Sequence, residues 1–270
     1  MDVKEALTTL GGAARRKDLL AAGVRESKLR KAVAFGAVSV PVRGVLALPD
    51  ADPAILAACT ARAHLACISA AEARGLWVLR QPGRVHVSTD HGRPLGDHFR
   101  VHRAAGKPGM LEICIQCLRC LPELDALCIV ESAVVKGLIR QSFLLENLGG
   151  QRDKSLRRIV RMIDPHAQSI VETVSRYHLR RVGYITQSQV FVPGAGRLDL
   201  MVDGVLGIEV DGKEYHSART DFEEDRRRWN VYTVRGISVL RVTYPLLVHS
   251  PDKFLELVAE CLTNLAQGDG

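Results

Sequence analysis

Residues Gly196–Tyr244 read GRLDLMVDGVLGIEVDGKEYHSARTDFEEDRRRWNVYTVRGISVLRVTY. Two short apolar runs, Leu198–Val202 and Val205–Val210, flank Asp203-Gly204. An Asp-Gly pair between alternating apolar residues is the strongest short-range hairpin signal, because both turn positions need positive φ. The polar, strongly charged segment from Arg219 to about Arg235 predicts a helix, and Ile237–Val242 predicts one more strand. The order is strand, turn, strand, helix, strand.

Acids stand in this stretch where apolar residues would be expected. Asp199 interrupts the first strand, and Glu209 and Asp211 close the second. Residues two apart on a strand share a face, so Glu209 and Asp211 point the same way. Asp199 can lie close to them across the hairpin. Clustered carboxylates repel one another and resist burial. A divalent cation would settle them, and hard oxygen ligands suit Mg²⁺ or Mn²⁺. The alternative on spacing alone is an exposed strand end carrying ordinary surface acids.

Arg197, Asp199, Glu209-Val210-Asp211-Gly212 and His216, then Asp225, Arg228 and Asn230, then Gly236 and Val239-Leu240-Arg241-Val242-Thr243, follow one another in a fixed order. That order resembles the Vsr-like branch of the PD-(D/E)XK nuclease superfamily. Upstream, Ser169, Glu172, Arg176, Leu179, Gly183 and Gln187 extend the match, so it spans about the last hundred residues. The resemblance implies a restriction-endonuclease-like αβββαβ core and a metal-dependent endonuclease that hydrolyses DNA phosphodiesters. It implies Mg²⁺ (or Mn²⁺) held by Asp199 and Glu209, with the Val210 carbonyl as a further ligand and Asp211 at the rim or on a second ion. Glu172 is the acid of the leading helix. His216 or Lys213 would orient water or assist the leaving group, and Arg226 and Arg228 would hold the nucleic-acid backbone. The slot that is usually Lys in the superfamily is Asp211 here. Lys213 lies two residues further, which leaves the lysine's role unassigned.

The same domain, residues 155–270, opens with Ser169 as an N-cap and Glu172 three residues later, a capping-box pair over the helix Ser169–Val182. That gives Glu172 a purely structural reading beside the catalytic one. Tyr184–Val192 is expected as the first strand, and Pro251–Leu265 as a tail helix.

Residues 1–50 predict three helices, Val3–Leu10, Arg15–Ala21 and Glu26–Phe35, each ended by glycine. Two short strands, Ala37–Val42 and Val45–Leu48, follow. Three helices and a β-ribbon is winged helix-turn-helix order. Around the third helix Arg25, Lys28, Arg30 and Lys31 suit phosphates and base edges. The pattern GGAARRKDLLAAGV…LRKAVAFGAVSVPVRGVLALP resembles the winged-helix domain of AbiEi-type antitoxins, and AHLACISAAEARGLW resembles the segment that follows it there. Residues 51–150 are read as a mixed, largely helical middle region, which makes the whole chain α+β.

Seven cysteines, an odd number, argue against a disulfide framework. Cys114, Cys117 and Cys120 have iron–sulfur-like spacing. Without turn formers between them they are expected on one helix face as small apolar core residues. His86, His91, His98 and His102 match no metal-ligand spacing and are expected to be scattered over loops and strands.

The chain has 270 residues, 47% hydrophobic and 25% charged, with net charge +7. That composition is globular, and the excess of cations favours a polyanion, with DNA the expected partner. No apolar run is long enough to span a membrane, and the N-terminus lacks a secretory apolar region, so the expected location is cytoplasmic. A homodimer is left open. Two other readings of the same residues are a catalytically inactive, antitoxin-like DNA-binding regulator and an RNA-cleaving toxin.

Overall fold

The computed structural model describes residues 1–104, 106–211 and 219–268; for Asp211, residues 219–222 and Gly268 it describes the backbone alone. The chain forms two compact units. One contains Met1–Ile129 with Ser142–Leu156; the other contains Val130–Gln141 and the chain from Arg157 onward.

The first unit begins α1 (Val3–Thr9), β1 (Ala13–Arg15), α2 (Arg16–Ala21), α3 (Glu26–Ala34) and β2 (Val45–Ala47). The Asp2 side chain caps α1 by accepting the Lys4 N–H, and Leu7, Leu19, Leu29 and Leu46 close one small core. The expected strand over 37–42 does not form. Only Ser39 bridges Ala47, while β2 pairs antiparallel with β1, Ala13 opposite Ala47. Pro41 has no N–H to offer a ladder, and Val40 and Val42 remain exposed.

The unit continues α4 (Pro53–Thr60), β3 (His64–Leu65), α5 (Cys67–Glu72), β4 (Val85–Thr89), β5 (Phe99–Arg103) and α6 (Met110–Cys120). β3, β4 and β5 form a sheet, antiparallel then parallel, with His86 opposite Arg100 and Ser88 opposite His102. Ala58, Ala63, Val87 and Phe99 form one buried cluster with it, and Ile68 and Ala71 of α5 and Ile113 and Leu118 of α6 are buried as well.

Helices α7 (Glu123–Val135), α8 (Gln141–Glu146), α9 (Lys154–Arg161) and α10 (Ile170–Arg181) lead into the last sheet. Then come β6 (Thr186–Val192), β7 (Gly196–Val202), β8 (Leu206–Asp211), α11 (Arg219–Val234), β9 (Ser238–Thr243), α12 (Tyr244–His249) and α13 (Pro251–Gly268). From α10 to β9 the order is α-β-β-β-α-β. The sheet runs β6-β7-β8-β9; its first two pairings are antiparallel and the last is parallel, since α11 carries the chain back between β8 and β9.

The expected hairpin is present: Asp203 has φ 49° and Gly204 φ 77°, the two left-handed residues of a type I′ turn. Leu206 and Ile208 face one side of β8, Gly207 and Glu209 the other. A side chain at Gly207 would collide with Leu198, because a Cβ there would stand 2.8 Å from Leu198 Cδ2. This close approach belongs to the core of Val192, Ala195, Leu198 and Tyr232, which attaches α11 to the sheet. In the same unit Arg176 of α10, fully buried, donates to Glu131 at 2.5 Å; Glu131 also accepts from the Thr173 hydroxyl and the Asp164 N–H. No helix among the described residues is long and apolar enough to cross a membrane.

Candidate functional site

The β7–β8 ladder runs from Val202 opposite Leu206 to Leu200 opposite Ile208 and stops there. The next ladder amide, Val210 N–H, donates instead to Oδ2 of Asp199 at 2.9 Å. A side chain thus replaces a main-chain partner and fixes the Asp199 carboxyl between the two strands. Its surroundings are acidic. Burial first, then Glu172 and Glu209, push its pKa from 3.8 up to about 6, against the pull of the Val210 amide and Arg228. Among the described residues no arginine or lysine is ion-paired to Asp199.

Glu209, one place before Val210, is buried and already engaged. Its Oε1 accepts from Arg228 Nη2 at 2.5 Å and from the Tyr232 hydroxyl at 2.9 Å, both on α11. Arg241 of β9 stands 3.8 Å from Oε2 and lies over the Trp229 ring. The consecutive arginines of α11 do different things. Arg228 turns inward to Glu209 and to the Arg197 carbonyl, Arg227 bonds the Gly194 carbonyl, and Arg226 is exposed.

Ser169 caps α10, accepting the Glu172 N–H. Glu172 answers through the Ser169 hydroxyl and the Gln168 N–H rather than the Ser169 N–H. Its Oε2 also accepts from Gln189 Nε2 at 2.9 Å. Gln189 is buried at φ 55°, whereas Gln187, the glutamine singled out in the sequence, is exposed. Glu172 is therefore both a helix cap and part of the field around Asp199. Of the remaining candidates, Asp211 is described in its backbone alone, opposite Thr243 of β9, and Lys213 and His216 lie outside the described residues.

In the first unit Arg25, Lys28, Arg30 and Lys31 are all exposed. Arg25 precedes α3 as its N-cap position, and Arg30 is paired with Glu26 at 3.2 Å. A denser set of cations lies elsewhere. Arg15, Arg16, Lys17, Arg43 and Arg62 line a cavity of about 930 Å³ whose wall holds a single acid, Asp90. Arg15 reaches His64 at 2.8 Å there. These cations come from the end of β1, the start of α2 and two loops, so no one helix advertises them.

The same unit gathers four side chains that the sequence leaves apart. Cys67, His86, His102 and Cys120 place one donor atom each within 4.8 Å of all the others, the only such group of three or more among the described residues. His86 Nδ1 is 3.2 Å from His102 Nε2 and 3.9 Å from Cys120 Sγ. Cys67 opens α5 with φ 47°, its N–H donating to Gln116 Oε1 of α6, while the His86 N–H donates to Ser69 Oγ. The Cys67 thiol is drawn well below the usual range by a hydrogen bond with Cys117, assisted by His102 and His86 against burial. Hence the expectation of scattered histidines is corrected for His86 and His102. Cys114 and Cys117 are buried on α6 as expected, but Cys120 at its end faces the histidines. The hint in the sequence was a histidine alternating with valine in each of two strands, VHVS and RVH.

No protein-family model matches this chain, and no curated protein does either.

Proposed function

We propose that the chain is a metal-dependent phosphodiesterase of the PD-(D/E)XK kind, with a restriction-endonuclease-like core in its second unit and a DNA-binding winged helix at its N-terminus. The observation that carries this reading is the Asp199 carboxyl. It is fixed by the Val210 amide, and burial first, then Glu172 and Glu209, raise its pKa to about 6. Hard oxygen donors of this type fit Mg²⁺ or Mn²⁺. Asp199 and Glu209 would hold the ion. When bound, it supplies the charge that generates a nucleophile from water at neutral pH and offsets negative charge on the phosphate.

The chain's own residues set the rest. Glu172, held by Ser169, Gln168 and Gln189, adds negative charge that helps raise the Asp199 pKa. Arg228 and Arg241 border Glu209 and offer fork-shaped donors that match a phosphodiester. The basic cavity and the α3 cations supply the sequence-independent attraction to a polyanion. The test is cleavage of supercoiled and linear DNA, with RNA alongside, in Mg²⁺ or Mn²⁺. Activity on DNA that disappears in Asp199→Ala and Glu209→Ala is the expected result; equal activity in both variants removes these residues from catalysis.

One observation favours a second reading, a regulator whose nuclease fold is inactive. Glu209 is already neutralised by Arg228 and Tyr232, and Asp211 occupies the usual lysine slot. Calorimetry separates the two: no heat of Mg²⁺ or Mn²⁺ binding at millimolar concentration supports the regulator.

A further inference from the structure

We infer that Cys67, His86, His102 and Cys120 bind one zinc ion, four-coordinate and structural, within the first unit. The donor set is two sulfurs and two imidazole nitrogens. Soft and borderline ligands of this kind select zinc over magnesium or calcium. In a tetrahedral site with bonds of about 2.0–2.3 Å, the donor atoms stand roughly 3.3–3.8 Å apart. Two of the six separations stand close to that range, 3.2 Å between the two histidine nitrogens and 3.9 Å from Cys120 Sγ to His86 Nδ1, and all lie within 4.8 Å. Four protein ligands leave no open position, which is the mark of a structural and not a catalytic zinc.

The surroundings suit an ion. Two thiolates balance a dication, so the loaded site is neutral and tolerates burial. Gln116 and Ser69 fix the backbone at Cys67 and His86, so these two ligands are oriented from behind. His102 and Cys120 also line a cavity of about 650 Å³, which gives the ion a path in. The site has a structural reason as well. One ligand comes from each of α5, β4, β5 and the end of α6, so the ion would tie two helices to two neighbouring strands. A metal crosslink among four elements adds to the stability of a small sheet.

The experiment uses the full chain without an affinity tag, purified in reducing buffer from cells grown with added zinc. Elemental analysis is expected to give about one zinc per chain, in the wild type and in Cys261→Ser, which lies far along the sequence on α13. Cys120→Ser and His102→Asn are expected to lose it. If either variant does not fold, the wild type still decides. Stripped of metal and titrated with Co²⁺, it is expected to show thiolate charge-transfer absorption and the strong visible bands of a tetrahedral ion. Three results would overturn the site: no metal in the wild type with no such cobalt spectrum, zinc kept in full by both folded variants, or a Cys67–Cys120 disulfide in the reduced preparation.

Discussion

The carboxylates around Asp199 and the Cys67–His86–His102–Cys120 group solve opposite problems. At the first, the chain has put like charges together and answered only part of the repulsion: Glu209 has Arg228 and Tyr232, Glu172 has neutral hydrogen-bond donors, and Asp199 has one amide. At the second, four donors from separate elements lie within 4.8 Å of one another, and two of them are sulfurs that a dication would balance. A site under electrostatic tension is suited to bind and release, whereas a site at rest is suited to hold. The comparison teaches that the two groups should differ in metal, in permanence and in what their removal does.

The sharpest separation is in activity. Asp199→Ala should lower Mg²⁺-dependent phosphodiester cleavage by at least about a hundredfold, measured in single-turnover assays, while Cys120→Ser assayed below its unfolding temperature retains cleavage. If Asp199→Ala leaves the rate intact, the carboxylates are not the active group. Next in size is metal removal. A chelator strong enough to strip zinc should lower the first thermal transition by roughly 8–16 °C, the equivalent of about 4 kcal/mol for a site saturated a thousandfold above its Kd. Mg²⁺ withdrawal should leave that transition unmoved.

The third test turns on the tension itself. The Asp199 pKa is raised in the folded chain, to about 6. Its contribution to stability is therefore fully present below about pH 4, where both states are protonated, and is lost as pH rises through 6. Stability measured by urea unfolding should fall by roughly 1–3 kcal/mol across that window. Asp199→Asn should abolish the fall and be more stable than the wild type at pH 7–8. A flat wild-type profile would mean that the carboxylates relieve one another by another route.

Arg228→Gln comes fourth. If Arg228 competes with a cation for Glu209, the variant should bind Mg²⁺ about tenfold more tightly by calorimetry. If the pair is only structural, binding is unchanged or absent, and stability falls by about 1.5–3 kcal/mol. The smallest effect is expected at the N-terminus. Of Lys28→Ala and Lys17→Ala, the one that removes a phosphate contact should reduce the salt dependence of DNA binding by about one unit of slope, which identifies whether α3 or the basic cavity meets the phosphates.

How far each region was legible follows from how local its signals are. The hairpin was written in Asp203-Gly204, because two consecutive positive φ values restrict the residue types that fit. The Ser169–Glu172 cap was equally plain, since both partners lie within one helical turn. The strand over 37–42 misled, because its valines alternate properly but Pro41 and the competition from Ala13–Arg15 for β2 are matters of pairing. The sequence points to Gln187 rather than Gln189, since a single left-handed residue changes which glutamine turns inward.

The sequence by itself determined the α-β-β-β-α-β order, the turn at Asp203-Gly204 and the identity of the acids on β7 and β8, because each depends on neighbours a few residues apart. Only the tertiary structure decided that Arg228 and Tyr232 meet on one oxygen of Glu209, and that two histidines and two cysteines from four separate elements share one point in space. Long-range convergence depends on strand register and on how helices pack over a sheet, and no spacing along the chain encodes either.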